Sequence, residues 1–406
     1  MKKLLYLGIA ALALAACDKG NYYFEADGDF KDGGAGYAAS DGGGIAAPGE
    51  GEGNGQGNGQ AGVITAAEWN DLDNWQFWGN LMGGQSDHSQ YNTYWGLNTQ
   101  YRFACKVMDA AGQPVVGARL ELKSADGNLL WTSRTDNSGK ANLWADVKEK
   151  EGKTDLAACT LFIDGTAQAG NPQVSNWSSA SINENVYTLA STPTVGNQAD
   201  IAFVVDATGS MGDEIEFLKE DLLDILQNVG QKQTSRSIFT GTVFYRDKGD
   251  DYITRVSEFT TNISSTVDFV KKQEAAGGGD WPEAVHTALE VTLKSLQWHD
   301  NAYAKIAFMI LDAPAHVDEQ GVVQSLQKSI EQFSAQGIKI IPVFCSSYSK
   351  DCEFMCRQFA ILTGGTYVFL TDDSGVGESH VEASVGDYEV EKLNELIIRL
   401  IDKYIS

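Results

Sequence analysis

Five apolar residues in a row, Ile201-Ala202-Phe203-Val204-Val205, run straight into an acid, Asp206. A strand on a half-solvated sheet alternates apolar and polar residues, whereas an unbroken run is apolar on both faces and needs cover on both. That is the condition of a parallel sheet held between helices. The pattern after it agrees, with a helix over 212–228, strands over 238–245 and 252–256, and helices over 264–275 and 282–298. A strand at 306–311, a helix at 321–336, a strand at 338–344, a helix at 352–363, a strand at 367–370 and a last helix at 388–405 complete the set. The sequence therefore predicts a doubly wound, Rossmann-like α/β domain over 199–406, entered through a linker at 191–198. Such sheets bind ligands in the crevice at the carboxyl ends of their strands.

Three loops at that edge carry oxygen donors. The first strand ends in Asp206-Ala207-Thr208-Gly209-Ser210-Met211, a middle loop reads Gly277-Gly278-Gly279-Asp280-Trp281-Pro282-Glu283, and a later strand ends in Asp312-Ala313-Pro314-Ala315-His316. Packing gives no reason for an acid to close a buried strand. Asp206, Thr208, Ser210, Asp280 and Asp312 together offer carboxylate and hydroxyl oxygens, the donors that Mg2+, or Mn2+ or Ca2+ in its place, prefers. Ser210 with Asp213, and Asp280 with Glu283, also fit N-terminal helix caps that need no metal, so Asp280 has two open roles. His316 is expected at the surface or behind the ligands.

These loops resemble those of von Willebrand factor A (VWA) domains. Asp206-Ala207-Thr208-Gly209-Ser210 stands for the family's D-x-S-x-S, with Thr208 replacing the first serine, and Asp312 stands where the third loop supplies a carboxylate. The G-G-G-D-W-P-E-A stretch is similar to extracellular A domains that carry Asp in the middle loop. The resemblance implies a metal-ion-dependent adhesion site (MIDAS) in which Thr208 and Ser210 bind the ion directly, and Asp206 and Asp312 partly through water. Three aspartates around one divalent ion leave a charge of about −1, which weakens attraction for an acidic partner.

Residues 1–16 read as a lipoprotein signal peptide: Lys2 and Lys3, then a short apolar stretch ending Leu14-Ala15-Ala16 before Cys17. The resemblance to a lipobox implies acylation of Cys17, placing the protein outside the cytoplasm, anchored at the outer membrane or cell surface. Residues 17–62 hold 15 of the 43 glycines and few large apolar side chains, and are expected to be a flexible acidic tether. In 63–97, Thr65-Ala66-Ala67-Glu68 fits a capping box, and Trp69, Leu72, Trp75 and Phe77-Trp78 follow at helical spacing, so a short aromatic helix is predicted over 65–82.

Residues 98–190 switch to a period of two, broken at Ala111-Gly112, Asp126-Gly127 and Asn137-Ser138-Gly139, and predict a small antiparallel β-domain. The stretch D-A-A-G-Q-P-V-V-G-A-R-L with T-D-N-S-G-K-A resembles the carboxypeptidase regulatory-like β-sandwich. Cys105 and Cys159 are candidates for a disulfide across it. Among Cys345, Cys352 and Cys356, a bridge would have to involve Cys345, because residues four apart on a helix stand too far apart for one.

With 55 acidic against 30 basic residues the net charge is −25, and 199–406 alone carries −16. No phosphate-backbone footprint exists in such a chain, so nucleic acid is excluded as a partner class, and five histidines offer little for zinc. No G-x-G-x-x-G or G-x-S-x-G follows the first strand and H-E-x-x-H is absent, which removes dehydrogenase, α/β-hydrolase and zincin readings. The leading expectation is a non-enzymatic module that binds a protein partner through a divalent ion. Two alternatives are an envelope scaffold with a structural metal, and a Mg2+-dependent phosphotransferase using Asp206. The latter needs a lysine and an acidic pair that Gly249-Asp250-Asp251 and Thr371-Asp372-Asp373 supply poorly.

Overall fold

The structure, a computed structural model, describes residues 62–84, 87–148, 152–212, 215–231, 236–279, 281–345, 349–374 and 382–406. The signal segment, Cys17, the tether up to residue 61, Asp213 and Asp280 lie outside the described residues. A strand β1 (Thr65–Trp69) and two helices, α1 (Trp75–Gly83) and α2 (Gln90–Trp95), come first. Seven strands follow: β2 (Tyr101–Asp109), β3 (Arg119–Lys123), β4 (Leu129–Arg134), β5 (Lys140–Ala145), β6 (Thr160–Ile163), β7 (Thr166–Ala167) and β8 (Glu184–Leu189). They make two sheets, ordered β5-β2-β8 and β4-β3-β6-β7. Phe103, Leu143, Leu120, Leu122 and Trp131 from the two sheets share one buried cluster.

The turn read at 137–139 is made, with the Asp136 carboxylate accepting from the backbone N–H groups of Ser138 (2.9 Å) and Lys140 (3.1 Å). One strand departs from the antiparallel expectation. β8 runs parallel to β2, from Ala104 opposite Glu184 to Asp109 opposite Leu189. A parallel neighbour needs a crossover of about a dozen or more residues, and the chain from β2 to β8, which runs through β3 to β7, provides it.

The expected pairing of Cys105 with Cys159 is not made. Cys105 sits on β2 with its Sγ against the Phe103 carbonyl (3.8 Å), while Cys159 leads into β6 of the other sheet with its Sγ on the Asp155 carbonyl (3.6 Å). Both are buried free thiols, and burial pushes the Cys159 thiol up to about 11. Cys345, Cys352 and Cys356 are buried as well, and none of them forms a disulfide among the described residues, so the expected bridge through Cys345 is not made.

The remaining elements are β9 (Gln198–Asp206), α3 (Ile215–Gln231), β10 (Ser237–Tyr245), β11 (Thr254–Thr260), α4 (Ile263–Val270), α5 (Val285–Ser295) and β12 (Ala304–Leu311). After them come α6 (Val322–Gln336), β13 (Lys339–Phe344), α7 (Lys350–Thr363), β14 (Tyr367–Leu370), β15 (Val390–Lys392) and α8 (Leu393–Ile405). The sheet order is β11-β10-β9-β12-β13-β14-β1-β15, with β10, β9, β12, β13 and β14 parallel. β9 explains the opening run: Ile201, Phe203 and Val205 pack into one core with α3 and α8, and Ala202 and Val204 into another with α5, α6 and α7. Both faces are covered, as a doubly wound sheet requires.

Residues 65–69 correct the helix expected over 65–82. They are a strand, β1, antiparallel to β14 (Ala66 opposite Leu370, Trp69 opposite Tyr367) and to β15. Thr65 and Glu68 make no capping box: the Thr65 hydroxyl is hydrogen-bonded to that of Thr371 (2.8 Å), and Glu68 accepts from Arg399 (2.9 Å) on α8. Ala66 and Ala67 point to opposite faces and both are fully buried, so the small side chains fit beneath helices on each side. Long-range pairing has overridden a local helical signal. The helix begins later, at Trp75.

Candidate metal centre

Asp206 and Asp312 close adjacent parallel strands, since the register places Val205 beside Ile310. Both carboxylates are buried, at 0% and 2% exposure. Beyond Asp206 the chain turns sharply into a 3-10 turn, Gly209–Met211. Asp206 Oδ1 accepts from the backbone N–H of Thr208 (3.0 Å) and from its hydroxyl (2.7 Å), and the Thr208 and Ser210 hydroxyls stand 3.2 Å apart. A threonine that donates its proton to Asp206 keeps its lone pairs for another group, which is what a cation ligand must do. Asp206 Oδ2 is buried without a direct hydrogen-bond partner, although the nearby Tyr245 hydroxyl favours the charged carboxylate.

The middle loop lies against this turn. The Ala276 N–H donates to the Ala207 carbonyl (3.1 Å) and the Gly209 N–H to the Gly277 carbonyl (3.0 Å). Gly277 has φ +79°, and a Cβ there would stand 2.3 Å from the Asp250 carboxylate, so only glycine fits. Asp250 in turn accepts from the Gly278 N–H (3.0 Å) and the Asp247 N–H (3.1 Å). Arg246 braces the same region, its Nε donating to the Ala207 carbonyl (3.0 Å) and its Nη2 to the Glu274 carbonyl (2.8 Å). His316 is buried and shares a hydrogen bond with Asp247 (Nε2 to Oδ1, 2.8 Å).

The electrostatics are those of carboxylates buried close to one another. Burial, and to a smaller extent the charge of Asp247, pushes Asp206 up to about 6. Glu283 is pushed up to about 9, by burial first and then by Asp206, Asp247, Asp312 and Asp250. Tyr245 is raised well above the usual tyrosine range by burial and by Asp206, Asp312 and Glu283. A divalent ion would relieve every one of these repulsions. Carboxylates alone do not encircle one point: among the described residues no three His, Cys, Asp or Glu side chains are placed to hold an ion by themselves. The hydroxyls of Thr208 and Ser210 belong to any coordination here.

Of the five residues read from the sequence, Asp206, Thr208, Ser210 and Asp312 stand together, and Asp280 lies outside the described residues. The sequence offers Glu283 as a helix-cap partner of Asp280. It is no cap, because α5 begins at Val285 after Ala284 and has no side-chain cap; Glu283 is instead a buried acid of the site. Tyr245, Arg246 and Asp247 join the site without a motif of their own in the sequence. Their signal was the same as for Asp206: polar residues closing a buried strand.

Residues 200–372 match the family model of the von Willebrand factor A domain. These residues are a VWA domain. Within the curated proteins, 212 residues (51% of this chain) are 28% identical to an alpha-protein kinase of Dictyostelium discoideum, covering 33% of that protein. A second stretch of 122 residues (30% of this chain) is 38% identical to a putative ariadne-like RING finger protein of Acanthamoeba polyphaga mimivirus, covering 12% of it. The chain thus spans a third or less of the curated relatives it matches. Among solved structures, an aerotolerance-related membrane protein from Bacteroides fragilis, carrying multiple mutations to serines, aligns over 50% of this chain and 99% of its own. Its TM-score is 0.32 and its identity 16%, too loose a likeness to bear on function.

Proposed function

We propose that the VWA domain is a non-enzymatic module that binds a protein partner through one divalent ion, Mg2+ or in its place Mn2+ or Ca2+. Asp206 and Asp312 would hold the ion together with the hydroxyls of Thr208 and Ser210, with Asp280 as a further carboxylate. When bound, the ion supplies an electrophilic position for an oxygen of the partner. The observation that carries the reading is Asp206: a fully buried carboxylate at the ligand-binding edge of the sheet, one oxygen tied to Thr208 and the other without a direct hydrogen-bond partner. Leaving such a group uncompensated costs several kcal/mol on the order of a buried ion. VWA domains commonly mediate protein interactions, which supports a protein as the partner, and Trp281 beside the site is exposed, an aromatic of the kind enriched at interfaces.

On the same proposal, the domain is displayed outside the cytoplasm, held to the envelope by lipid on Cys17 and spaced from it by the glycine-rich tether. Among the described residues no helix is long and apolar enough to cross a membrane. The test is capture from envelope extract with immobilised protein. Proteins should be retained in Mg2+, released by chelator, and not retained by Asp206→Ala. Equal retention by Asp206→Ala, or retention indifferent to chelator, would overturn the metal-dependent reading.

A further inference from the structure

The opposite edge of the sheet, where β12 and β13 begin, holds a second concave site. The turn after β4, the linker at 193–195 and the amino ends of β12 and β13 close around a cavity of about 250 Å3. Arg134 and Lys305 both line it. Lys305 is 6% exposed, and its ammonium donates to the Asp300 and Gln336 carbonyls (3.0 Å each). Arg134 donates from Nε to the Ala335 carbonyl (3.3 Å) and from Nη1 to the Gly117 carbonyl (3.2 Å). Gly337, at φ +73°, lets the arginine stem lie close, since a Cβ there would stand 3.0 Å from Arg134 Cβ. Among the described residues neither cation closes an ion pair, all four hydrogen bonds going to backbone carbonyls.

The carbonyls of Ala335 and Gln336 close α6, so the two cations in part cap a helix end. A helix C-terminus carries only about half a negative charge, which two full cations exceed. Burial, then the charge of Arg134, pushes the Lys305 ammonium down to about 8, with Asp200 and Asp300 opposing to a smaller extent. An ammonium has three N–H donors and a guanidinium five, so both side chains keep donors for a ligand. Asp136 and Asp300 line the cavity too, Asp136 paired with Lys339 (3.1 Å), so three cationic side chains face two acids. One negative charge balances that lining, and a phosphate dianion overshoots it. Pro193, Val195 and Tyr404 add apolar surface. We propose that this cavity binds a small organic carboxylate, its charged end on the Arg134 guanidinium and the Lys305 ammonium and its apolar body against Pro193, Val195 and Tyr404. A guanidinium fork meets a carboxylate in two parallel hydrogen bonds, and enclosure strengthens them. The ligand touches both the β-sandwich and the VWA domain, and so ties one to the other. Asp312 lies at the far end of β12, seven residues on from Lys305 and about 23 Å along the strand, so the site is separate from the metal centre.

The experiment is calorimetric titration of the whole protein with acetate, benzoate and phenylacetate, beside uncharged benzamide and inorganic phosphate, with thermal melts of wild type, Arg134→Gln and Lys305→Gln. At least one carboxylate should bind once per chain and raise the melting temperature of wild type, and benzamide should do neither. Arg134→Gln should weaken that carboxylate about 10–100-fold, the loss expected for hydrogen bonds to a charged group, and Lys305→Gln should weaken it in the same direction. Benzamide binding as tightly as benzoate would reduce the site to an apolar cavity and overturn the proposal. Phosphate binding more tightly than every carboxylate would overturn the carboxylate assignment. Full affinity in a folded Arg134→Gln or Lys305→Gln would place the anion elsewhere, and no saturable binding of the three carboxylates by wild type at millimolar concentration would overturn the site outright. Where a variant fails to fold, the wild-type comparison of benzoate with benzamide and phosphate decides by itself.

Discussion

Arg357 on α7 closes on Asp71, just after β1, with Nε 2.9 Å from Oδ2 and Nη2 2.6 Å from Oδ1. Both side chains are buried, and Arg357 also donates to Glu353 (3.2 Å) and to the Ser384 carbonyl (2.7 Å). A two-pronged ion pair between residues 286 apart in sequence pins the first described segment to the VWA domain. Removing one partner leaves a guanidinium buried and short of charge. Asp71→Ala should therefore destabilise the protein by about 3–5 kcal/mol, read by chemical denaturation. A change below about 1 kcal/mol would show that Glu353 alone satisfies Arg357.

The same contact sets a boundary. β1 fills the place between β14 and β15, so a fragment of residues 199–406 lacks a strand from inside its sheet as well as Asp71. That fragment should fail to unfold cooperatively, whereas residues 62–406 should melt in one transition. A cooperative melt of 199–406 would show that β1 is an accessory strand.

Local pattern carried the parallel strands and the two aspartates closing β9 and β12, because an unbroken apolar run and an acid at its end are short-range signals. β1 escaped because Thr65-Ala66-Ala67-Glu68 is locally a good helix start, and only its pairing with β14 and β15, some 300 residues away, decides otherwise. The cysteines escaped because spacing says nothing about which sheet each one enters. Glu283 escaped because Pro282-Glu283 reads as the first turn of a helix, and the hydrogen bond to Pro314 that delays α5 joins two separate loops.

Gly277 tests the support of the site without touching a ligand. Its positive φ and the 2.3 Å approach of a Cβ to Asp250 make Gly277→Ala strained twice. The left-handed backbone alone costs about 1–2 kcal/mol, and Asp250 must also move. The expected outcome is a fall in stability of at least that size. Full stability in Gly277→Ala would mean that the loop re-forms freely around the new side chain.

Asp221 gives a pH signature away from the site. It is buried on α3, its carboxylate accepts from the Gly62 N–H (2.6 Å), and burial, with Asp224 and Glu220, pushes it up to about 6. A raised folded-state value means that the native state favours the neutral acid. The stability it lends is complete below the ordinary value of about 3.9 and is lost as pH rises toward 6. Asp221→Asn should gain about 1–2 kcal/mol over wild type at pH 7 and nothing near pH 4, measured by denaturation at both. An equal gain at both pH values would remove the charge of Asp221 as the cause.

The cation itself is tested most directly by titrating the whole protein with Mg2+ in a calorimeter, beside Asp206→Ala. One ion per chain should bind to wild type, and Asp206→Ala should fold yet bind none. Binding that Asp206→Ala leaves unchanged, or no binding of Mg2+, Mn2+ or Ca2+ by wild type, would contradict a metal centre at the ends of β9 and β12.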